Sequence, residues 1–267
     1  MRVGRLRVDA VSDGTFVARP GYFGAQVPDD ARPDLFDRDG AAWLPIGCFV
    51  IRDGAGRTVL VDAGLGPALD RIPDGMLLVG GQLPTGLRAL GVDPAEVTDV
   101  ILTHFHLDHV GWLFDLAARP LFPAARLWFG AAEWDHFVDG PGEMAPHIEA
   151  GFRALAGTAA LRPLTADTEV APGVTAVTAP GHTPGHLAVS LESAGERFLL
   201  LGDAITHPAQ LSEPGWHSMG DVDAALAERT RQDLCARLAE PGVAGVGAHF
   251  PELRHGRLAG GAWVPET

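Results

Sequence analysis

A chain of 267 residues, 46% hydrophobic with mean hydropathy +0.11, can bury a large core as one big α/β domain or two small ones. Its net charge of −14 opposes clustered phosphate contacts, which disfavours nucleic acid as a partner. No run approaches the roughly 20 apolar residues of a membrane span, charges interrupt MRVGRLRVDAVSDG where a signal peptide needs its apolar stretch, and two cysteines build no disulfide framework. A cytoplasmic protein is expected, with no membrane contact and with Cys48 and Cys235 as buried small hydrophobes. All 20 cations are arginine and the chain lacks lysine and asparagine, a skew that points to GC-rich bacterial coding and not to a recognition surface.

With no repeat or long linker, the whole of 1–267 reads as one domain. RVGRLRV (2–8) alternates as a half-exposed strand ending at the Asp13-Gly14 turn signal. Residues 15–45, rich in Pro, Gly and Asp, read as a long irregular segment over an active site or a dimer contact. CFVIRDGAGRTVLVD (48–62) predicts a hairpin turning at Gly54 to Gly56. Helices are expected at 82–90, 109–118, 131–137 and 146–156, with DVILTH (99–104) a buried strand between the first two. Strands follow over 161–202, then a helix at about 221–239 whose Val222, Leu226, Thr230, Leu234 and Leu238 share one face. VAGVGAHF (243–250) is a last buried strand before a hairpin. Alternating helices and strands with hairpins mixed in suggest layered sheets with helices outside.

The chemistry concentrates in THFHLDHVG (103–111), three histidines and an aspartate within six positions of a chain that has 11 histidines. His104 and His106 lie two apart, so in an extended segment they project to the same side and can share a metal. Asp108 and His109 follow where the chain turns into a helix and can reach a second metal. Neutral imidazole and carboxylate suit Zn²⁺. Further candidates end later buried runs: His182 in APGHTPGH (179–186), Asp203 after RFLLLG, and His249 after VAGVGA. His186 reads as a support of the site and not a ligand, while His136, His147 and His255 lack a pattern. Phe16, Tyr22, Phe23, Phe36 and Trp43 in the long segment, Trp112 beside the motif, and Trp216 and His217 in EPGWHSMGD are candidate pocket walls for a small molecule.

THFHLDH followed in order by His182, Asp203 and His249 resembles the HxHxDH pattern of metallo-β-lactamase-fold hydrolases, and the likeness runs from Asp13 to about residue 257. VLVDAGLG (59–66) matches as well. The resemblance implies an α+β fold, an αββα four-layer sandwich of two packed mixed β-sheets flanked by helices. It implies two zinc ions per chain, with iron or manganese as alternatives. One would sit on His104, His106 and His182 and the other on Asp108, His109 and His249, with Asp203 bridging and Asp62 orienting a ligand histidine. In such a site a hydroxide held between the metals attacks the substrate, and Asp108 passes a proton to the leaving oxygen.

An aspartate at 203 and a histidine at 106 depart from true β-lactamases and from flavodiiron proteins. The pattern is similar to glyoxalase II, the N-acyl homoserine lactonases and the methyl-parathion-hydrolase group. HLDHVGWL, FPAARLW (122–128) and the TR-containing helix before GAHFPE favour the last two sets. The expected activity is hydrolysis of a small lactone or ester, with phosphotriester cleavage as a side activity. A glyoxalase II-like thioesterase and a mononuclear-iron persulfide dioxygenase are the alternatives. One departure stands out: homoserine lactonases carry a tyrosine three residues after the bridging aspartate, where this chain has Thr206. Tyr22, the only tyrosine, or His207 would do its work, or the substrate differs.

Overall fold

A computed structural model describes residues 1–25, 27–28, 32–213 and 215–266. One sheet holds β1 (Arg2–Val3), β2 (Leu6–Ala18), β3 (Ala42–Arg52), β4 (Thr58–Val61), β5 (Leu69–Ile72), β6 (Met76–Val79), β7 (Asp99–Ile101), β8 (Arg126–Gly130) and β9 (Leu161–Leu164). Its order is β5-β6-β2-β3-β4-β7-β8-β9, with β1 on β2 and with β4, β7, β8 and β9 parallel. The other sheet runs in chain order through β10 (Thr168–Ala171), β11 (Val174–Thr178), β12 (Leu187–Ser193), β13 (Glu196–Leu200), β14 (Val243–Val246), β15 (Gly256–Ala259) and β16 (Ala262–Pro265). Only β13 and β14 are parallel there.

The alternation of β2 and β3 places Val8, Phe49 and Ile51 on the inner face, where they join Val189, Leu191 and Leu200 of the second sheet in one core. Outside the first sheet, α1 (Leu83–Ala89) and α4 (Pro146–Leu155) bury Leu83, Leu87, Ile148 and Phe152 against Val50, Val100 and Leu127. Outside the second sheet, α6 (Ala224–Leu238) presses Leu234 and Leu238 onto Val243 and Val246. The result is the two-sheet α+β sandwich with helices on both faces that the sequence suggests.

Several elements differ from the sequence reading. The first strand does not stop at Asp13-Gly14; β2 continues to Ala18 through a bulge between Ser12 and Gly14. Gly14 is required there, because a Cβ would lie 1.8 Å from the Val79 carbonyl oxygen. The helix expected at 109–118 ends after one turn, α2 (Leu107–Val110). The amides of Gly111 and Trp112 turn instead to the carbonyls of Gly64 and Ala63, 2.7 and 2.9 Å away, so no second turn can form. In α6 the buried face is Ala227, Thr230, Arg231, Leu234 and Leu238, while Val222 precedes the helix and is exposed. The described part of 15–45 is less irregular than expected: it contains the end of β2, a 3₁₀ turn (Pro20–Phe23) and the start of β3, and Phe16, Tyr22, Phe23 and Phe36 are buried in a third apolar cluster. Cys48 is buried, whereas Cys235 is only partly so. Among the described residues no helix is long and apolar enough to cross a membrane.

Candidate metal centre

The strands β7, β11, β13 and β14 end at one edge of the sandwich, and each delivers part of a cluster. His104, His106, Asp108 and His109 come from the end of β7 and α2, His182 from the loop after β11, Asp203 from that after β13, and His249 from that after β14. Three overlapping groups have ligand atoms within 4.8 Å of one another: His104, His106 and His182; His104, His109 and Asp203; and Asp108, His109 and His249. His182 Nε2 is 3.0 Å from His106 Nδ1. Asp203 lies between the two ends, with Oδ2 3.7 Å from His182 Nε2 and 3.2 Å from His249 Nε2, and Oδ1 3.6 Å from His109 Nε2. Asp108 closes the group, 3.8 Å from His109 Nε2 and 3.4 Å from His249 Nε2.

Outer partners fix which ring nitrogen faces inward. His109 Nδ1 donates to Asp62 Oδ2 at 2.8 Å, His182 Nδ1 to Asp221 Oδ1 at 2.9 Å, and His249 Nδ1 to the Pro45 carbonyl at 2.7 Å. The Thr103 hydroxyl contacts Asp62 at 2.9 Å and His104 Nδ1 at 3.0 Å, so it donates to the carboxylate and accepts from the ring. In these four rings Nδ1 is thereby committed and Nε2 faces the cluster, whereas His106 presents Nδ1 to it. Asp62 reaches this position with a left-handed backbone, φ 62°, which aspartate tolerates better than most residues.

The buried atoms His104 Nε2, His109 Nε2 and Asp203 Oδ1 have no hydrogen-bond partner among the described residues. Leaving each of these unpaired costs about 1–3 kcal/mol, a cost that a bound cation removes. Burial, then the neighbouring imidazoles, holds His104 and His106 well below the ordinary histidine range, so both keep their lone pairs. Burial works against the charged form of His109 too, but Asp62, Asp108 and Asp203 outweigh it and raise the ring to about 10. Asp203, despite burial, is held well below the usual carboxylate range by His249 and His109. Five imidazoles and two carboxylates in this arrangement suit a divalent metal.

Other supports escaped the sequence reading. The buried Glu133 accepts the Phe105 amide at 2.8 Å and the Gly185 amide at 2.7 Å, joining the loop of His104 and His106 to that of His182. Arg231 of α6 donates to the carbonyls of Ala204 and Trp216 and lies 3.5 Å from Asp221. His186, read from the sequence as a support, accepts the Asp203 amide on Nε2 at 3.0 Å, an approach that needs Gly202, whose absent Cβ would sit 2.7 Å from that nitrogen. Nothing local marks Asp221 or Glu133, which act across 39 and 52 residues of chain. Replacing Asp221 with alanine is expected to weaken metal retention by about 10- to 100-fold, read by competition with a chelator.

The pocket candidates fall into separate places. Phe16 lies 5.7 Å from the His249 ring and meets Tyr22 edge-on at 4.9 Å. Phe23 packs on Trp216 at 5.2 Å and on Phe36 at 6.2 Å, away from the ligands. Trp43 is 65% exposed, bonds Asp37, and with Phe36 and His207 lines a cavity of about 590 Å³. Trp112 donates its indole N–H to Asp13, His217 contacts the Gly215 carbonyl, and Thr206 and His207 both direct their amides to Gln210. A second cavity of about 360 Å³, lined by Leu65, Leu107, Val110, Met144 and Ile148 among others, borders the ligand-bearing turn.

A four-layer sandwich with a histidine-aspartate cluster at the strand ends defines a class of metal-site proteins. The model of the metallo-beta-lactamase superfamily matches residues 41–246, and the chain belongs to that family. Probable metallo-hydrolases of Mycobacterium bovis and Mycobacterium tuberculosis are 32% identical over 140 residues, 47% of this chain and 42% of theirs. The N-acyl homoserine lactonase of Bacillus thuringiensis is 24% identical over 170 residues, 59% of this chain and 62% of that protein. The chain thus spans about two fifths to three fifths of the length of these relatives. Among solved structures, the dizinc quorum-quenching lactonase AidC superposes with a TM-score of 0.87 at 22% identity, covering 100% of this chain and 96% of its own. The hydrolase AbOPH gives 0.84 at 22% identity, covering 100% and 96%. These likenesses confirm the fold that the motif implies.

Proposed function

We propose that this protein is a dinuclear zinc hydrolase of a small lactone or ester. The observation that carries the reading is the convergence of seven buried or nearly buried ligand groups, three of whose inward atoms, on His104, His109 and Asp203, find no hydrogen-bond partner among the described residues. His104, His106 and His182 would hold one ion and Asp108, His109 and His249 the other, with Asp203 shared. Bound there, the pair would supply a nucleophile at neutral pH and polarise the substrate carbonyl. The chain's own part is to fix the ligands through Asp62, Asp221 and the Pro45 carbonyl, and to place a carboxylate at the reacting centre. Asp108, with an oxygen at the mouth of the cluster, is the group to carry a proton to the leaving oxygen. The apolar cavity beside Leu107 and Val110 suits an acyl chain, and the lactonase relatives bring lactones to the front of the substrate list.

The test is a panel of lactones, thioesters, phosphotriesters and aryl esters offered to zinc-loaded protein, with Asp108→Asn as control. About two zinc ions per chain, lactone or ester turnover, and its loss in Asp108→Asn are expected. Fully loaded protein that cleaves no member of the panel would defeat the reading. Preferential cleavage of the thioester would redirect it toward a glyoxalase II-like activity.

A further inference from the structure

Tyr22 has no assigned task in that mechanism, yet its surroundings are those of a working phenol. It is 7% exposed, at the end of the 3₁₀ turn Pro20–Phe23, clamped edge-on by Phe16 at 4.9 Å and Phe23 at 5.1 Å. The Gly220 amide donates to Ser218 Oγ at 3.1 Å, and Ser218 Oγ in turn donates to the phenol oxygen at 2.8 Å. With that oxygen accepting from Ser218, the phenol's own O–H can donate, to the Thr206 hydroxyl beside it or to a bound substrate. Phe16, which packs on the phenol ring, also lies 5.7 Å from the His249 ring, and Ser218, bonded to the phenol oxygen, bonds the Asp221 carboxylate behind His182, so the phenol stands beside the cluster. Burial, then the Asp203 charge, pushes its ionisation up, so it stays a neutral phenol.

The mount is tied to the ligands as well. The Met219 amide bonds the Tyr22 carbonyl at 2.8 Å and the His217 amide bonds that of Phe23 at 3.2 Å, so the segment around Ser218 clasps the turn. Ser218 also donates its amide to Asp221 Oδ2 at 3.0 Å, on the carboxylate that orients His182. One serine thus sets both the phenol and a ligand's outer partner. A tyrosine needed only for packing would not require a buried hydroxyl held by a serine that is itself tied to a ligand's outer partner.

We propose that Tyr22 donates a hydrogen bond to the substrate's carbonyl oxygen as that oxygen gains charge, and that Ser218 is its positioning residue. The proposal rests on the hydrolase reading. It means that the phenol comes from the N-terminal segment, beside the very position, Thr206, where the sequence lacks one.

The test compares zinc-loaded wild type, Tyr22→Phe and Ser218→Ala on N-hexanoyl-L-homoserine lactone and 4-nitrophenyl acetate. Tyr22→Phe is expected to keep its zinc content and melting temperature while kcat falls about 100-fold with KM little changed, the mark of a contact made in the transition state. Ser218→Ala, which leaves the ring packed, is expected to lose about 10-fold. An independent readout uses the fact that this is the chain's only tyrosine: protein labelled with ¹³Cζ-tyrosine alone gives one resonance, which N-hexanoyl-L-homoserine is expected to shift. Wild-type kcat in Tyr22→Phe, or a Cζ signal unmoved by bound N-hexanoyl-L-homoserine, overturns the assignment while leaving the hydrolase reading intact. A wild type that cleaves neither substrate defeats both.

Discussion

Asp203→Ala is expected to lose metal and turnover together. Its two oxygens face His109 on one side and His182 and His249 on the other, at 3.2 to 3.7 Å, so its loss opens both halves of the cluster at once. Removing an outer partner costs about 10- to 100-fold in metal affinity, and removing a shared inner group should exceed that. The substitution also leaves His109 and His249 without a carboxylate that favours their charged forms. Elemental analysis after dialysis and a hydrolysis assay on the same sample check the prediction. Full metal content with normal turnover would remove Asp203 from the shared position.

The second large effect is on stability and lies outside the ligand set. Asp13 is fully buried, and its carboxylate accepts the amides of Leu65, Gly66, Gly81 and Leu83 and the indole N–H of Trp112. Asp13→Ala strands all of these donors. At about 1–3 kcal/mol for each unsatisfied buried group, the loss should pass roughly 4 kcal/mol even after relaxation. That is a large fraction of the 5–15 kcal/mol typical of a folded domain. Urea unfolding should show a much lower midpoint for Asp13→Ala, with Asp13→Asn between it and the wild type because one acceptor oxygen survives. A midpoint within error of the wild type would mean that water replaces the carboxylate at no cost.

The ligands were readable because each is a polar metal-binding residue at the end of an apolar run, and because four of them share one short motif. The sandwich was readable from strand alternation and from the amphipathic helices. What stayed hidden acts at long range or through backbone. Nothing near Glu133 or Asp221 announces that their carboxylates bond loops far along the chain. The false second turn after His109 has apolar spacing in its favour, but Gly64 and Ala63 capture the amides it would need. Among the aromatic rings, composition could not separate Tyr22, whose hydroxyl is bonded by Ser218, from Phe23 and Trp216, which pack against each other.

Arg231 gives α6 a reach beyond its own layer. A guanidinium sealed at 5% exposure grips the chain just past Asp203, the loop at Trp216 and the carboxylate beneath His182. Lysine, whose three donors all sit on one atom, lacks the span of the planar fork that reaches these separate partners. The outermost helix is therefore a lever on the reaction chamber, and substitutions that merely slide it along the sheet would be felt at a histidine they never touch.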